Sequence, residues 1–292
     1  MKLSRRDFLK TSAKASAAAT GLMLVQSPAI AMAQGSQTTE GMAMLIDVTK
    51  CVSCWWCYAA CKNYNKLTET IRPDPEQPPS LSADTWTTLH PVKKGEGWTS
   101  RKKACNHCTN AACVTVCPTG ALSYNDLGFV QYDKSKCSGC GYCAEVCPFD
   151  VPQLDANKVT GDAVMNKCTF CIDRVKNGEP TACSEACTTG AIRFGKRAEL
   201  IAEGQDRVAV LSQTNSAAVL YGDKELDGLH VMYVLDDSPE TYDLPANPQV
   251  PATAKAHSVF RWLGAGAALA VVAGLGLNYL IARARMVKGD SK

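Results

Sequence analysis

The chain has 292 residues, of which 46% are hydrophobic, and its formal net charge is +3. This length accommodates one or two domains and a membrane segment, and the small charge, without a dense run of lysine and arginine, argues against a nucleic-acid-binding protein. The four histidines form no metal-ligand pattern, whereas the sixteen cysteines fall in four groups of four between Cys51 and Cys187. The chemistry of the chain is therefore predicted to belong to cysteine.

Residues 1–33 are predicted to be an export signal. Ser4 to Lys10 reads S-R-R-D-F-L-K, a twin-arginine motif, and an alanine-rich apolar stretch then leads to an A-x-A cleavage site that ends at Ala33. A basic amphipathic N-terminus with chance arginines is the alternative, but the three parts stand in the order that a signal requires. Because the twin-arginine route carries folded proteins with their cofactors, metal clusters are compatible with export.

Two of the cysteine groups share the spacing C-x2-C-x2-C-x3-C. One begins at Cys51, after a short apolar strand predicted for residues 43–47, and the other begins at Cys137. In the latter, the chain-breaking Pro148 follows the fourth cysteine. This spacing is the bacterial [4Fe–4S] run, whose fourth cysteine binds the other cluster of a pair. Both groups therefore predict [4Fe–4S] clusters.

The other two groups are split, and they begin with C-x2-C at Cys105 and at Cys168. Because triplet and split groups alternate, the chain contains an internal duplication, and each half resembles a two-cluster ferredoxin unit. Short β-type segments, such as residues 129–132 and 191–194, follow the split groups. We predict an α+β fold for residues 43–235, built as two pseudo-symmetric two-cluster ferredoxin-like units.

Two other chemistries also use many cysteines. Structural zinc sites usually take two C-x2-C arms, often with histidine, which leaves the third and fourth cysteines of each group unexplained. A disulfide scaffold, which an exported chain could form, gives no reason for a repeated triplet that ends in Cys-Pro. The spacing favours iron–sulfur clusters, with zinc and disulfides as the alternatives.

The region after the last cysteine group predicts a helix at residues 199–211 and a buried strand at residues 229–235. Four prolines then indicate an extended linker over residues 236–260. No nucleophile–base motif, P-loop or Rossmann fingerprint occurs in its expected context. The chain is therefore predicted to have no catalytic site of its own.

Residues 261–283 are predicted to be a single transmembrane helix. The stretch from residue 262 to residue 282 carries no charge and would span about 30 Å as a helix, which matches the bilayer core. Basic residues are more frequent after this stretch than before it, which places the tail, residues 284–292, in the cytoplasm and the cysteine domain outside. Small or polar residues recur on one face and favour docking on an integral-membrane partner, although such a row also arises by chance: Gly266, Ala270, Gly274 and Asn278.

With all four groups read, the chain resembles the iron–sulfur (beta) subunit of membrane-bound respiratory formate dehydrogenases. The matching stretches include A-M-L-I-D-V-T-K-C at Ala43, R-K-K-A-C-N-H-C at Arg101 and S-G-C-G-Y-C-A-E-V-C-P-F-D-V-P-Q-L at Ser138. Further matches are N-K-C-T-F-C-I-D-R-V at Asn166 and H-V-M-Y-V-L at His230. The cysteine motifs by themselves also occur in the iron–sulfur partners of hydrogenases and of sulfoxide and polysulfide reductases. The resemblance to the formate dehydrogenase subunit therefore depends on the residues that flank the motifs.

The resemblance implies four [4Fe–4S] clusters in two pairs, with the fourth cysteine of each group crossing over to a neighbouring cluster. The residues alone support only the pairing of a triplet group with a split group, and the family supplies the assignment. The implied ligand sets are Cys51, Cys54, Cys57 and Cys187; Cys168, Cys171, Cys183 and Cys61; Cys105, Cys108, Cys113 and Cys147; and Cys137, Cys140, Cys143 and Cys117.

The resemblance also implies partners. These are a molybdopterin catalytic subunit and an integral-membrane cytochrome b or quinone-interacting subunit, with the iron–sulfur domain on the periplasmic side. The chain departs from the pattern because Lys62 and Thr188 stand where a proline follows the fourth cysteine elsewhere. A twin-arginine signal on the iron–sulfur subunit itself is more typical of the comparable subunit of a nickel–iron hydrogenase. Hydrogenase subunits, or another molybdopterin enzyme, are therefore the alternative partners.

Three other residues lie inside the cysteine motifs. Trp55 and Trp56 are predicted to pack near the first triplet rather than to act in redox chemistry, with a docking surface as the alternative. His107 is predicted to be a surface residue rather than a ligand or a proton relay.

Overall fold

The computed structural model describes residues 40–68, 73–74, 76–94, 96–156 and 163–289. The predicted signal peptide, residues 1–33, lies outside the described residues. The chain divides into two compact units, one formed by Gln34–Ala254 and the other by Met1–Ala33 with Lys255–Lys292. Every cysteine belongs to the first of these units.

Strands and short helices are mixed along the first unit, as the sequence predicts for an α+β fold. The strands are β1 (Met42–Asp47), β2 (Thr88–Lys94), β3 (Gly97–Lys103), β4 (Leu122–Tyr124), β5 (Val130–Tyr132), β6 (Gln153–Ala156), β7 (Ala163–Asn166), β8 (Ile192–Lys196), β9 (Val219–Tyr221) and β10 (Val231–Leu235). The helices are α1 (Trp56–Tyr64), α2 (Ala112–Val116), α3 (Tyr142–Glu145), α4 (Ile172–Lys176), α5 (Ala182–Glu185) and α6 (Arg197–Leu211). The strand predicted before the first cysteine, the helix after the last one and the buried strand beyond it are all confirmed.

A four-stranded sheet with the order β8-β1-β10-β9 forms the centre of the unit. Strand β1 pairs in parallel with β10 and antiparallel with β8. Every residue of β10 is buried, as are all but the first of β1, which fits their nearly continuous apolar sequences. Since β1 directly precedes the first cysteine group and β8 directly follows the last, this sheet brings the two ends of the cysteine region together.

Three two-stranded hairpins separate the four cysteine groups along the chain. The β2–β3 hairpin lies between the first and second groups, β4–β5 between the second and third, and β6–β7 between the third and fourth. A short 3-10 turn leads into each triplet group, and an aspartate caps it. The carboxylate of Asp47 accepts a hydrogen bond from the backbone N–H of Thr49, and Asp133 accepts one from Ser135, each at 3.0 Å. The repeated lead-in sequence therefore folds in the same way twice.

Helix α1 is longer than the other helices that carry cysteines. No proline follows Cys61, so the helix can continue through Lys62 to Tyr64. Thr188 also replaces a proline, yet α5 ends at Glu185, so the missing proline permits a longer helix without producing one. Lys62 is 6% exposed, and its side chain donates to the backbone carbonyl of Asp84 at 2.8 Å.

The prediction of an extended linker after residue 235 differs from the structure. A 3-10 turn covers Pro239–Tyr242, and the side chains of Tyr242 and Leu244 are buried in the main apolar core. The hydroxyl of Tyr221 donates to the carbonyl of Pro245 at 2.9 Å. Prolines are compatible with a fixed turn as well as with an extended chain, and here an aromatic anchor holds the segment on the domain.

A long helix, α7 (Ala252–Gly289), ends the described chain. Its residues Gly266–Ala284 are long and apolar enough to cross a bilayer. Large apolar side chains of this segment are at least 60% exposed, among them Val272, Leu275 and Leu280. A helix that shows so many apolar side chains suits a lipid environment better than water.

Candidate iron–sulfur centres

The four cysteine groups begin with the same loop. In each C-x2-C motif, the residue before the second cysteine has a left-handed backbone: φ is 53° at Ser53, 48° at His107, 69° at Gly139 and 60° at Phe170. This conformation is rare for residues with a Cβ, so four occurrences at one motif position indicate a common requirement. The loop wraps the chain around the space between the first two thiols of the group.

Each group then enters a helix at its third cysteine. Cys57, Cys113, Cys143 and Cys183 are each the second residue of a helix, α1, α2, α3 and α5 respectively. The partial positive charge at a helix N-terminus favours a thiolate there. The fourth cysteine of each group lies one turn or more further on, within or just beyond the same helix. Each helix therefore fixes the third thiol of its group at its N-terminal end and separates the fourth thiol from it.

The first set of thiols consists of Cys51, Cys54, Cys57 and Cys187, which line one cavity. Three members come from the first triplet, and the fourth comes from the last group in the chain. The central sheet accounts for this meeting, because β1 and β8 are adjacent. Trp55 and Lys102 also line the cavity.

Two further cavities each contain four thiols. The second set lines one of them and consists of Cys61, Cys168, Cys171 and Cys183. The fourth set lines the other and consists of Cys117, Cys137, Cys140 and Cys143. In both, one thiol arrives from a different group through the helix described above.

The remaining thiols, the third set, are Cys105, Cys108, Cys113 and Cys147. Burial raises the pKa of Cys108 well above its ordinary value, and the neighbouring Cys105, Cys147 and Cys113 raise it further. Burial also raises the pKa of Cys113, again with contributions from Cys105 and Cys147. Because electrostatic effects of this kind fall off with distance, the four thiols lie near one another.

Thiols of different sets also affect one another, and these couplings give the order of the sets. After burial as the main cause, a thiol of the neighbouring set raises the pKa in three pairs: Cys57 by Cys183, Cys168 by Cys105, and Cys113 by Cys143. The pairs connect the first set to the second, the second to the third, and the third to the fourth. The four sets thus follow one another in a row.

The sets do not correspond to the two halves of the chain, and they combine the cysteine groups in the way that the family resemblance implies. The first cysteine group shares cavities with the last group, and the second shares its surroundings with the third. Along the chain, the pair formed by the second and third groups therefore lies inside the pair formed by the first and last groups. A duplication read from the sequence cannot reveal this, since both arrangements pair a triplet group with a split group.

The arrangement of the thiols also bears on the two alternative chemistries. All sixteen cysteines are free thiols rather than disulfides. Among the described residues, which include every cysteine, no three His, Cys, Asp or Glu side chains are grouped closely enough to hold a single metal ion. A tetrahedral zinc site needs sulfurs only about 3.8 Å apart, given Zn–S bonds of about 2.3 Å. In a [4Fe–4S] cluster each thiolate binds a different iron, so the cluster requires thiols further apart than a zinc site does.

Comparison with known proteins agrees with this chemistry. Residues 50–121 and residues 97–197 each match a model of a 4Fe-4S dicluster domain. The formate dehydrogenase-O iron-sulfur subunit of Escherichia coli (strain K12) is 38% identical over 234 residues, which is 76% of this chain and 77% of that protein. The nitrate-inducible formate dehydrogenase iron-sulfur subunit of the same strain is 34% identical over 252 residues, 82% of this chain and 84% of that one.

The hydrogenase-2 operon protein HybA of Escherichia coli O157:H7 is 32% identical over 320 aligned residues, which is 96% of this chain and 95% of HybA. This chain belongs to the family of 4Fe-4S dicluster iron–sulfur subunits. The resemblance seen in the sequence is thereby confirmed. The subunit carries four [4Fe–4S] clusters, and its role is electron transfer rather than catalysis.

The thiols of the subunit are poised to bind metal with the release of protons. Burial raises the pKa of Cys143 and of Cys147 to about 11, and that of Cys171 to about 12. A buried thiol is protonated at neutral pH, whereas a metal ligand is a thiolate. Cluster binding therefore displaces protons and contributes to the folding free energy, as it does in other small metal-binding domains.

Two buried lysines lie beside the thiol sets. Lys102 is 2% exposed and Lys167 is 1% exposed. The positive charge of Lys102 opposes the effect of burial on the pKa of Cys57 and of Cys168, and that of Lys167 does so for Cys113. A buried ammonium group needs a negative partner. Anionic iron–sulfur centres with their thiolates provide one, so these lysines fit the proposed cofactor.

One buried polar group without a partner points the same way. The indole N–H of Trp55 lines the first cavity and has no acceptor among the described residues, whereas the hydroxyls of Thr87 and Tyr132 in the other two cavities are hydrogen-bonded to the thiols of Cys61 and Cys137. Leaving a buried donor unpaired costs about 1–3 kcal/mol, so native proteins rarely do it. Cluster sulfur accepts hydrogen bonds, which would satisfy the indole of Trp55.

The structure corrects the prediction for His107, which is fully buried rather than on the surface. Its ring packs against Phe129 and Phe170, with ring centroids 5.7 and 5.0 Å away. Its Nδ1 lies 3.0 Å from the carbonyl oxygen of Val130 and donates to it. Burial and the charge of Lys167 lower the His107 pKa well below its ordinary value, so the ring is neutral. The aromatic residues that pack against His107 are distant in sequence, so the C-N-H-C motif does not predict that the ring is buried.

Proposed function

We propose that this subunit conducts electrons between a catalytic subunit, in the first instance that of a formate dehydrogenase, and a quinone-linked partner in the membrane. The observation that carries the proposal is the row of four thiol sets, each coupled to the next. A row of closely spaced redox centres provides a path, whereas four isolated metal sites would only stabilise the fold.

Each thiol set is proposed to hold one cluster. The ligands are Cys51, Cys54, Cys57 and Cys187 for the first cluster; Cys168, Cys171, Cys183 and Cys61 for the second; Cys105, Cys108, Cys113 and Cys147 for the third; and Cys137, Cys140, Cys143 and Cys117 for the fourth. The cavities lined by the first, second and fourth sets support this assignment. The repeated loop and helix geometry supports a pseudo-symmetric relation between the cluster pairs.

The bound clusters supply one-electron redox chemistry, and the chain determines where they lie and how they respond. The left-handed loops and helix N-termini fix the thiols, and the helices pass the fourth cysteine of each group to the neighbouring set. Burial of Cys57, Cys143 and Cys183 keeps water away from the sulfur ligands. Lys102 places positive charge between the first and second sets, and Lys167 places it beside the third. Exposure, charge and hydrogen bonds to sulfur are the features that set cluster potentials.

The comparisons leave two partners to consider. Identity is higher with the formate dehydrogenase subunits, at 38% and 34%, and it favours a molybdopterin catalytic subunit. Coverage is higher with HybA, whose match extends over 96% of this chain. That alignment, together with the predicted signal, favours the alternative of a nickel–iron hydrogenase. Both readings share the electron-transfer role.

The proposed topology places the iron–sulfur domain, residues 43–235, on the periplasmic side after export by a twin-arginine signal at residues 1–33. A linker at residues 236–260 leads to a membrane helix at residues 261–283 and a cytoplasmic tail at residues 284–292. The apolar segment Gly266–Ala284 of α7 and the excess of basic residues after it support this orientation. A membrane cytochrome b or another quinone-interacting subunit is the proposed electron partner there.

Metal analysis tests the cofactor and its ligands. Anaerobically purified subunit should be brown and contain about 16 iron atoms per chain, whereas a colourless zinc protein would contradict the proposal. Cys187→Ser should remove or alter the cluster of the first set, although residue 187 is far from the first triplet in sequence. The matched control is Thr188→Ser, which should leave the iron content unchanged. An intact first cluster in Cys187→Ser protein would show that the assigned sets are wrong.

Purification of the intact complex from native membranes tests the partner. Molybdopterin and formate-dependent reduction of the clusters should accompany the subunit if the formate dehydrogenase proposal is right. Nickel and hydrogen-dependent reduction would instead establish the hydrogenase alternative. A subunit that is isolated without any redox partner would contradict both.

A further inference from the structure

Trp55 is a buried residue with an unused hydrogen-bond donor. It is 2% exposed, and its indole Nε1 has no partner among the described residues. The indole N–H can only donate, whereas a hydroxyl can rotate or accept instead. An unpaired indole N–H in a protein interior therefore calls for an acceptor.

The backbone at Trp55 is also unusual. Its φ is 66° and its ψ is 7°, a left-handed conformation that a bulky residue rarely adopts. Gly141 occupies the matching position of the other triplet loop, with φ 81°, and a glycine meets this requirement without strain. A Cβ built on Gly141 would meet only the side chain of Leu154, at 3.9 Å. The loop thus requires the conformation, and this chain places a large donor where glycine would be easier.

The surroundings hold the Trp55 ring beside the thiols. Trp55 lines the first cavity together with Cys51, Cys54, Cys57 and Cys187. Its ring makes an edge-to-face contact with the buried ring of Tyr58, with centroids 5.6 Å apart. The next residue, Trp56, is 59% exposed and does not line this cavity. Only one of the two adjacent tryptophans is therefore in a position to contact the cluster.

We propose that the indole N–H of Trp55 donates a hydrogen bond to a sulfur of the cluster held by the first set, and that this bond raises the reduction potential of that cluster. The inference rests on the proposed function. Reduction adds negative charge to the sulfur atoms, so a donor aimed at them stabilises the reduced state more than the oxidised state. Backbone strain is usually kept where it serves a function, and a strained residue whose donor is otherwise unpaired fits that pattern.

Replacement of Trp55 by phenylalanine tests this proposal, because it keeps an aromatic ring and removes the N–H. In an EPR-monitored redox titration of the intact complex, one of the four reduction steps should move to lower potential. The expected change is about tenfold in the ratio of reduced to oxidised cluster, which is 59 mV for a one-electron couple. Trp56→Phe is the matched control and should move no step.

A second measurement uses the unaltered subunit and does not depend on the variant's folding. Protein labelled with ¹⁵N at the tryptophan indole should show a ¹⁵N hyperfine coupling to one reduced cluster in pulsed EPR, and Trp56→Phe should retain it. Absence of this coupling, or four unmoved steps in Trp55→Phe, would overturn the role of Trp55 while leaving the proposed function intact. Absence of any iron–sulfur signal in the unaltered subunit would overturn the proposed function itself.

Discussion

The two triplet loops, residues 51–57 and residues 137–143, share a spacing and a backbone but not an environment. Both follow an aspartate-capped turn, and both place the same two positions in the left-handed region. The first loop is enclosed, with Trp55 buried and Lys102 beside its thiols. The second is more open at its second cysteine: Cys140 is exposed, whereas Cys54 at the matching position is half-buried.

This difference separates two properties that the cysteine motif does not distinguish. The local sequence determines where the thiols lie, since the same spacing yields the same loop twice. A tertiary neighbour contributes to the electrostatic environment, because strand β3 supplies the buried charge of Lys102 at the first set, and the residue between the cysteines adds the donor of Trp55. Reduction potentials should therefore differ between the two clusters even though their motifs match.

The largest expected effect comes from a substitution that changes the backbone of only one of the two triplet loops. A Cβ at Gly139 would lie 1.9 Å from the carbonyl oxygen of Ala163, in addition to the cost of a φ of 69°. Gly139→Ala should therefore displace the second triplet loop from the β6–β7 hairpin and abolish the fourth cluster. Iron content should fall from about 16 to about 12 atoms per chain. At the matching position of the first loop, Ser53 has room, and its hydroxyl lies 2.7 Å from that of Ser100.

Gly120→Ala provides the control for this prediction. Gly120 has nearly the same φ, 67°, but a Cβ there would meet no atom within 4 Å. The variant should lose only about 1 kcal/mol of stability and keep its iron. Equal iron contents in Gly139→Ala and Gly120→Ala proteins would show that the contact with Ala163 is unimportant.

The second prediction concerns the capping aspartates, which differ in burial. Asp47 is 4% exposed and, besides its capping bond, accepts from the guanidinium of Arg207 at 2.9 Å. Asp133 caps its turn at the surface. Asp47→Ala should cost about 3 kcal/mol, because it leaves a partly buried guanidinium without its partner. Asp133→Ala should cost clearly less, because it removes only a cap at the surface.

Anaerobic thermal unfolding of the two variants measures this difference. Asp133→Asn keeps a capping oxygen and should restore most of the stability that Asp133→Ala loses, whereas Asp47→Asn should not fully restore the pairing with Arg207. Similar losses for the two alanine variants would mean that the buried ion pair contributes little beyond the cap.

The sequence predicted the features of the site that depend on local spacing. The triplet and split motifs predicted where the thiols are grouped along the chain. The strand before Cys51 and the helix near Glu199 followed from apolar patterning. These predictions succeeded because each depends on residues close together in the chain.

Features that depend on distant neighbours could not be predicted in the same way. Lys102 and Lys167 carry charges that are normally exposed, and only the assembled thiol sets explain their burial. His107 was expected at the surface because its aromatic partners, Phe129 and Phe170, lie far from it in sequence. The first part of the predicted linker differs from an extended chain for a related reason, since the buried ring of Tyr242 anchors a proline-rich segment whose composition alone predicts exposure.

The smallest predicted effect concerns charge at the two triplet loops. Lys102 is 2% exposed and lines the first cavity, whereas Lys134, which leads into the second loop, is exposed to solvent. Solvent and salt screen an exposed charge but act weakly on a buried one. Lys102→Met should therefore lower the potentials of the first and second clusters by about 59 mV, a tenfold change for a one-electron couple. Lys134→Met should change the fourth cluster's potential far less, and the small change should disappear at high salt. Equal shifts with the same salt dependence would show that the burial of Lys102 does not distinguish the two loops. The potentials of the clusters at the two loops would then have to be explained by the sulfur ligands and their hydrogen bonds alone.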